Sequence, residues 1–453
     1  MGTETPIADS QFEARLSAYL QDLEEFCRIP SVASDDAAVR EMAALVEQRL
    51  RRAGFDVISD SAEGGHQTFI ARMDGDSAGH LLFFNHYDVD PAGPEDAWDS
   101  PPFEVTKKGE LVYGRGVADN KGTLLARLHA IEALLDRNGT VPCSVTFLIE
   151  AKRSMYGPHL GAVVERHKDR LAADACLWEN STASEDGRPT LRLGDKGMLM
   201  VRIRSTGTKS NLSSQYASIF PSASWTLVSF LSRIRAASGE IALPDFYAHV
   251  RSFSAEEETI FRQAPVKQAT LEALGGIKLE GEFGDSLIRY YTGPTANIAR
   301  LSAGAGAEVM MSVNPSEAVA DMDFRLVPDQ DADEVYARLV ETAAEFGGAV
   351  TVERIGSMPP ARTPVSHPFV SMVRDVARSV YGKDALLEPL SPTVGSRSVL
   401  SWSGMPIVGH GVAYAGSNIQ AANEHVRLEH VTQGMEFVAA VIQRTGEMHA
   451  ELH

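Results

Sequence analysis

LLFFNHYDVDPAG, residues 81–93, begins as an unbroken apolar run and ends in titratable side chains. Four apolar residues in a row, Leu81 to Phe84, read as a strand buried on both faces, the kind found inside a parallel sheet. His86 and Asp88 follow two positions apart, so on an extended chain they share a side. Asp119 lies in LVYGRGVADNKGTLLARLHAIEAL, residues 111–134, at the foot of an amphipathic helix and just past a Gly-rich turn. In open α/β sheets ligands sit beyond the carboxyl ends of the strands, where this pattern puts His86. An imidazole, a carboxylate two residues on to hold its other ring nitrogen, and a second carboxylate on a nearby turn make half of a zinc site.

Working outward, Phe12, Leu16, Leu20 and Leu23 recur at helical spacing, and Met42, Leu45, Val46 and Leu50 repeat it until Gly54 stops the second helix. Short β-rich runs follow at 55–58 and 68–71. A helix is expected over 121–135, with strands over 144–149 and 175–178 that end on Glu150 and Glu179. Strands alternating with helices predict a mostly parallel sheet covered on both faces. From Gly194 the pattern changes. GMLMVRIRS (197–205) reads as a strand, 221–234 as a helix, 309–313 and 318–326 as strands, 331–346 as a helix and 349–355 as a strand, the order of a small α+β unit inserted into the first. Pro359 and Pro360 mark the return, and helices over 369–381 and 426–443 with a strand over 406–408 complete the first sheet. The expected division is one domain from residues 1–190 and 361–453, with 191–360 inserted.

With 453 residues, 44% hydrophobic and 23% charged, the chain has material for two or three domains. A formal net charge of -19 argues against nucleic acid or an anionic membrane surface as partner, since both would repel it. Cys27, Cys143 and Cys176 are too scattered for a metal cluster and suit a reducing compartment. No basic-then-apolar leader opens the sequence and no run reaches the ~18 apolar residues that span a bilayer, so a cytoplasmic location is expected.

HYDVDP (86–91) followed by GRGVADNKG (114–122) resembles the zinc-dependent dipeptidases, aminoacylases and deacylases related to carnosinase, glutamate carboxypeptidase and acetylornithine deacetylase, and the resemblance covers nearly the whole chain. It implies an α/β fold: a zinc-peptidase-like catalytic domain with a mostly parallel sheet, plus an inserted α+β lid through which such proteins commonly form homodimers. It also implies His86, Asp119 and Glu179 as metal ligands, with Asp119 bridging two ions and Asp88 orienting the imidazole. The substrate would be a small molecule bearing a carboxylate.

Later motifs of that family are in frame here with their chemical residues exchanged. Where relatives carry a glutamate-rich turn, FLIEAKRSMYGPHL (147–160) puts Arg153 at the general-base position and Ser154 at a second-metal ligand. A guanidinium accepts no proton near neutral pH, and a hydroxyl is a poor zinc ligand beside a carboxylate; a slipped register would make Glu150 the base instead. GSNIQAANEH (416–425) places Gln420 where a ligand histidine is expected, with Asn423 and Glu424 kept. KSNLSSQYASIFPSASW (209–225) puts Leu212 where relatives send a histidine across the dimer. Substrate-holding positions match better: Asn297 in GPTANI, Arg325 in DFRLVPDQ as a carboxylate clamp, and Gly395 with Ser396 in TVGSRS.

A guanidinium about 4 Å from a dication, at an effective dielectric of about 20, would repel it by roughly 8 kcal/mol. Two site compositions follow: one zinc on His86, Asp119 and Glu179, or no metal, with Arg153 paired to Asp119. The expected activity is non-hydrolytic chemistry on an amino-acid-derived carboxylate, with Arg153, Ser154, Gln420 and Glu150 at the reacting centre and Lys152, Tyr156 or His159 as proton carriers. A one-metal dipeptidase or N-acyl-amino-acid hydrolase and a silent binding subunit are the alternatives.

Overall fold

A computed structural model of the chain describes residues 9–62, 65–151, 159–264, 266–304 and 312–452. Its larger sheet has eight strands, in the order Asp56–Asp60, Thr68–Met73, Cys143–Glu150, Ser77–His86, Ala175–Trp178, Ile407–Gly409, Thr190–Arg192 and Leu386–Glu388. The four central strands run parallel, while the first two pair antiparallel, which makes the sheet mixed and mostly parallel. The Cys143–Glu150 strand is buried at every position, and Ser77–His86 is buried from Gly79 onward. That is what an unbroken apolar run requires when helices cover both faces.

Helix Lys121–Asn138, which ends on Gly139 in the left-handed conformation (φ 75°), is not the surface amphipath its sequence suggests. It is buried from Lys121 through Ile131 because the helices Asp9–Arg28 and Leu428–Leu452 pack on it. The first turn of the expected 426–443 helix is also different. His425–Arg427 pairs antiparallel with Leu111–Tyr113, and the helix begins at Leu428, because Val426 is drawn into register with Val112.

The smaller sheet is antiparallel, ordered Thr295–Ala303, Glu317–Leu326, Gly194–Thr206 and Val350–Met358. Helices Ala223–Ile234 and Ala332–Ala344 close its core through Leu227, Phe230, Val335 and Leu339. The strand Gly194–Thr206 serves both halves of the molecule. Asp195 and Lys196 pair with Ala361 and with the Ser391–Val394 strand, and from Gly197 onward the same strand lies inside the smaller sheet. Three short helices, Ala255–Arg262, Gln268–Gly275 and Phe283–Thr292, have no counterpart in the sequence reading. Their apolar residues, Phe261, Leu287 and Tyr291, form a separate cluster too small to leave a clear period. Of the expected 309–313 strand, 309–311 lie outside the described residues; Val313–Asn314 pairs with Leu212–Ser213. The three cysteines are buried thiols. Among the described residues no helix is long and apolar enough to cross a membrane.

Buried polar side chains tie the helices to one another and to the carboxyl ends of the central strands. The Arg127 guanidinium donates to the carbonyls of Phe84 (2.7 Å), Trp178 (2.9 Å) and His410 (3.1 Å), tying three parallel strands to one helix. Lys121 donates to the carbonyls of Phe26 and Ile29, both at 2.8 Å. His410 stacks on Phe437 at 3.8 Å and meets the Tyr381 hydroxyl at 2.9 Å. Burial, with Arg127 adding to it, pushes the His410 pKa down to about 3. An unfolded chain takes up a proton there below about pH 6.5 that the folded chain refuses, so this stability is complete above about 6.5 and is lost as pH falls toward about 3. His410→Gln should therefore flatten the decline in the unfolding free energy measured in urea between pH 7 and pH 4.5, by up to about 1.4 kcal/mol per pH unit. An unchanged slope would remove His410 as its source.

Candidate functional site

The site forms where the strands Ser77–His86, Cys143–Glu150 and Ala175–Trp178 end together. His86 is buried, with Nδ1 3.3 Å from the Asp88 carboxylate and 3.0 Å from the Asp88 carbonyl. Nε2 therefore faces the other way, 3.3 Å from Asp119 Oδ1 and 3.2 Å from Glu179 Oε2. Burial opposes a charge on this ring, but Glu179, Asp119 and Asp88 outweigh it and raise its pKa well above the ordinary value.

Asp119 is placed by residues distant in sequence. The carboxylate of Glu424, fully buried, accepts from the backbone N–H of Gly116 (3.0 Å), Ala118 (2.9 Å) and Asp119 (3.0 Å), and from Arg115 Nη1 at 2.6 Å. Burial and the Asp119 charge push the Glu424 pKa up to about 7, against the pull of those donors. With four donors aimed at it, the carboxylate is the form that holds the turn. The Asp119 oxygens in turn meet two side-chain amides: Asn180 Nδ2 donates to Oδ1 at 2.5 Å and Gln420 Nε2 to Oδ2 at 3.4 Å. Asn180 adopts a left-handed φ of 31°, and its own oxygen accepts from Asn120 at 3.2 Å.

A cleft of about 770 Å³ opens on this group, with Asp88, Glu150, Glu179 and Gln420 on one wall and Arg325, Gly395 and Ser396 among the others. Glu150 is buried beside these carboxylates. Burial first, then Glu179 and Asp88, raises its pKa well above the carboxylate range, against the pull of His86. Gly395 abuts the Asp195 carboxylate, leaving no room for a side chain. Asn297 is not brought to this cleft. It lies on the exposed strand Thr295–Ala303, bonded to Asp323 at 2.8 Å, and lines a second groove that shares only Arg325 with the first. Leu212 sits in a separate two-stranded pairing, opposite Asn314. His159 opens the helix His159–Arg166 and packs close to Gly65. Lys152, Arg153, Ser154 and Tyr156 lie outside the described residues.

Neighbouring ligands of a tetrahedral zinc stand roughly 3.3–3.5 Å apart, given bonds of about 2.0–2.2 Å. The spacings of 3.2 and 3.3 Å about His86 Nε2 fit one such ion. As they stand, though, no three or more His, Cys, Asp or Glu side chains among the described residues form a group that could hold a metal ion. The Asp119 oxygen nearest His86 also accepts from Asn180, and Gln420 turns an N–H toward the other.

The model of Peptidase family M20/M25/M40 matches residues 82–444, and the chain belongs to that family. It is 26% identical over 269 residues to a probable di- and tripeptidase, DUG2, of Saccharomyces cerevisiae, a match covering 59% of this chain and 29% of that protein. It is 28% identical over 335 residues to the succinyl-diaminopimelate desuccinylase of Bordetella parapertussis, covering 73% of each. Among solved structures, the M20 family metallo-carboxypeptidase Sso-CP2 of Sulfolobus solfataricus superposes with a TM-score of 0.85 at 27% identity, over 95% of this chain and 99% of that one. The relatives are named as peptidases and a desuccinylase, and the YXEP protein of Bacillus subtilis, a solved member of the family, is described as a dinuclear metal binding peptidase.

The sequence reading passed over Asn180 and Arg115. Asn180 follows Glu179 directly and Arg115 lies within the GRG turn, so both were in view, but nothing local says that one meets Asp119 and the other Glu424. Glu424→Ala should cost about 3–5 kcal/mol in urea unfolding, because it strands a buried guanidinium and three N–H groups. Glu424→Gln, which keeps one acceptor oxygen, should cost less; equal losses would show that charge alone holds the turn.

Proposed function

We propose that this chain binds a small amino-acid-derived or peptide-like carboxylate in the cleft and converts it by chemistry other than two-zinc hydrolysis. The observation that carries this reading is the amide of Gln420 donating to Asp119, at the position where the family motif has a ligand histidine. Arg153 and Ser154 at the base and second-ligand positions of that motif support it. Arg325, half-buried in the cleft wall, receives the substrate carboxylate, and Ser396 borders the same space. His86, Asp119 and Glu179 would hold one divalent ion, which supplies Lewis acidity toward a carbonyl when bound. Asp88 keeps Nε2 of His86 turned to that position. Glu150, whose pKa burial raises, lines the cleft as a candidate proton donor, and the Arg153 of the motif would bring the positive charge of a second ion. Amide formation, cyclisation, elimination and acyl transfer are the reactions such a site suits, since none needs an activated water.

The spacings about His86 favour one second reading, a hydrolase working with a single metal. Metal analysis of protein purified without added zinc, joined to a mass-spectrometric screen of dipeptides and N-acyl amino acids, separates the two. The proposal expects at most about one equivalent of metal and no robust hydrolysis; two equivalents with rapid hydrolysis would end it. Arg153→Glu, Ser154→Glu, Leu212→His and Gln420→His combined should then gain dipeptide hydrolysis by at least about 10²-fold.

The same reading assigns the chain a homodimer through the smaller sheet. Its edge strand Thr295–Ala303 is exposed along nearly its whole length, with Ile298 44% and Leu301 57% exposed, and Trp225 on the adjoining helix is 73% exposed. Wild-type protein should sediment as a dimer, and Trp225→Glu with Leu301→Lys as a folded monomer; a wild-type monomer would refute the assignment.

A further inference from the structure

Five cationic side chains border the cleft, and their partners differ. Arg192 is neutralised by Glu388 at 2.6 Å. Arg397, buried beneath the wall, is held by Asp195 at 2.6 Å. Lys196 donates to the carbonyls of Tyr290 (2.8 Å) and Gly293 (2.7 Å), which caps the end of the helix Phe283–Thr292. Two remain. Arg289, on that same helix, has the hydroxyl of Ser286 at 3.0 Å, and among the described residues Arg325 has no hydrogen-bonded or ion-paired partner.

Arg289 and Arg325 line the same cleft. Lys196 bonds to the backbone beside Arg289, and it lies near enough to Arg325 to feel its charge. The helix that presents Arg289 is fixed, since Leu287 and Tyr291 are buried and Lys196 holds its last turn. In a chain of net charge -19, two arginines left for solvent or ligand in one cleft are matched to two anionic groups.

We infer that the cleft selects dicarboxylates: Arg325 takes the carboxylate assigned to it above, and Arg289 takes a second one carried on the side chain or acyl group of the same molecule. Arg289 is thus a specificity-determining residue, contributed by a helix the sequence pattern did not reveal. The inference rests on the proposed role of the cleft in binding a carboxylate substrate.

Isothermal titration of the full chain with N-acetylglutamate and N-acetylglutamine tests it, because the two ligands have the same shape and differ by one charge. N-acetylglutamate should bind at least about tenfold more tightly. Arg289→Gln should remove most of that advantage while changing N-acetylglutamine affinity less than about threefold, and Arg289→Lys should restore part of it. Arg325→Gln should weaken both ligands. Equal affinity of the wild type for the two, or a preference that survives Arg289→Gln, overturns the dicarboxylate inference and leaves the cleft's broader role standing. Binding of neither ligand overturns both.

Discussion

One buried carboxylate holds the active half of this molecule together. Glu424 satisfies three consecutive-turn N–H groups and the Arg115 guanidinium, more than 300 residues earlier in the chain. A Gly-rich turn of this kind has no regular partner for its backbone donors, and leaving them buried without acceptors would cost free energy for each. The C-terminal segment supplies the acceptor, and the position of Asp119 follows from it. Arg127 does the complementary task on the other side by fastening the strand ends that carry His86 and Glu179.

Charge is arranged in the pocket with the same economy. Three carboxylates surround one imidazole at its edge, burial raises the pKa of a fourth carboxyl, and two amides face Asp119. In a site built for two dications those amides would be out of place, because an N–H directed at a bridging carboxylate competes with the metal for its lone pairs. Amide donors also carry no net charge, so the excess of negative charge is left for a cation, a guanidinium or a proton to balance. The same cleft is also lined by cationic side chains, among them Arg289 and Arg325.

The strand Gly194–Thr206 explains how residues of the two halves keep their relative position. Its first residues hydrogen-bond within the catalytic half and the rest within the smaller sheet, so Arg325, in register with Met198, is positioned by the same backbone that Asp195 and Lys196 anchor. A Cβ at Gly197 would collide with Pro360 and the Met358 carbonyl, which is why the crossing point needs a residue without a side chain.

Much of this was legible in the sequence. The apolar run ending on His86 fixes a central parallel strand because only a strand covered on both faces can dispense with alternation, and HYDVDP with GRGVADNKG carries the imidazole, its orienting carboxylate and Asp119 at short range. That Arg153, Ser154 and Gln420 stand in their stretches is likewise a matter of sequence alone. What the tertiary structure decided is which groups meet. Asn180 against Asp119, Glu424 under the turn, the raised pKa of Glu150 and the presence of Arg289 and Arg325 in one cleft all depend on segments far apart in the chain, where neither periodicity nor motif spacing applies. Val426 shows the same limit in miniature: its local pattern is helical, yet pairing with a strand more than 300 residues away makes it extended. Local preferences are worth tenths of a kcal/mol per residue, and buried polar contacts several times that, so where the two compete the distant partner prevails.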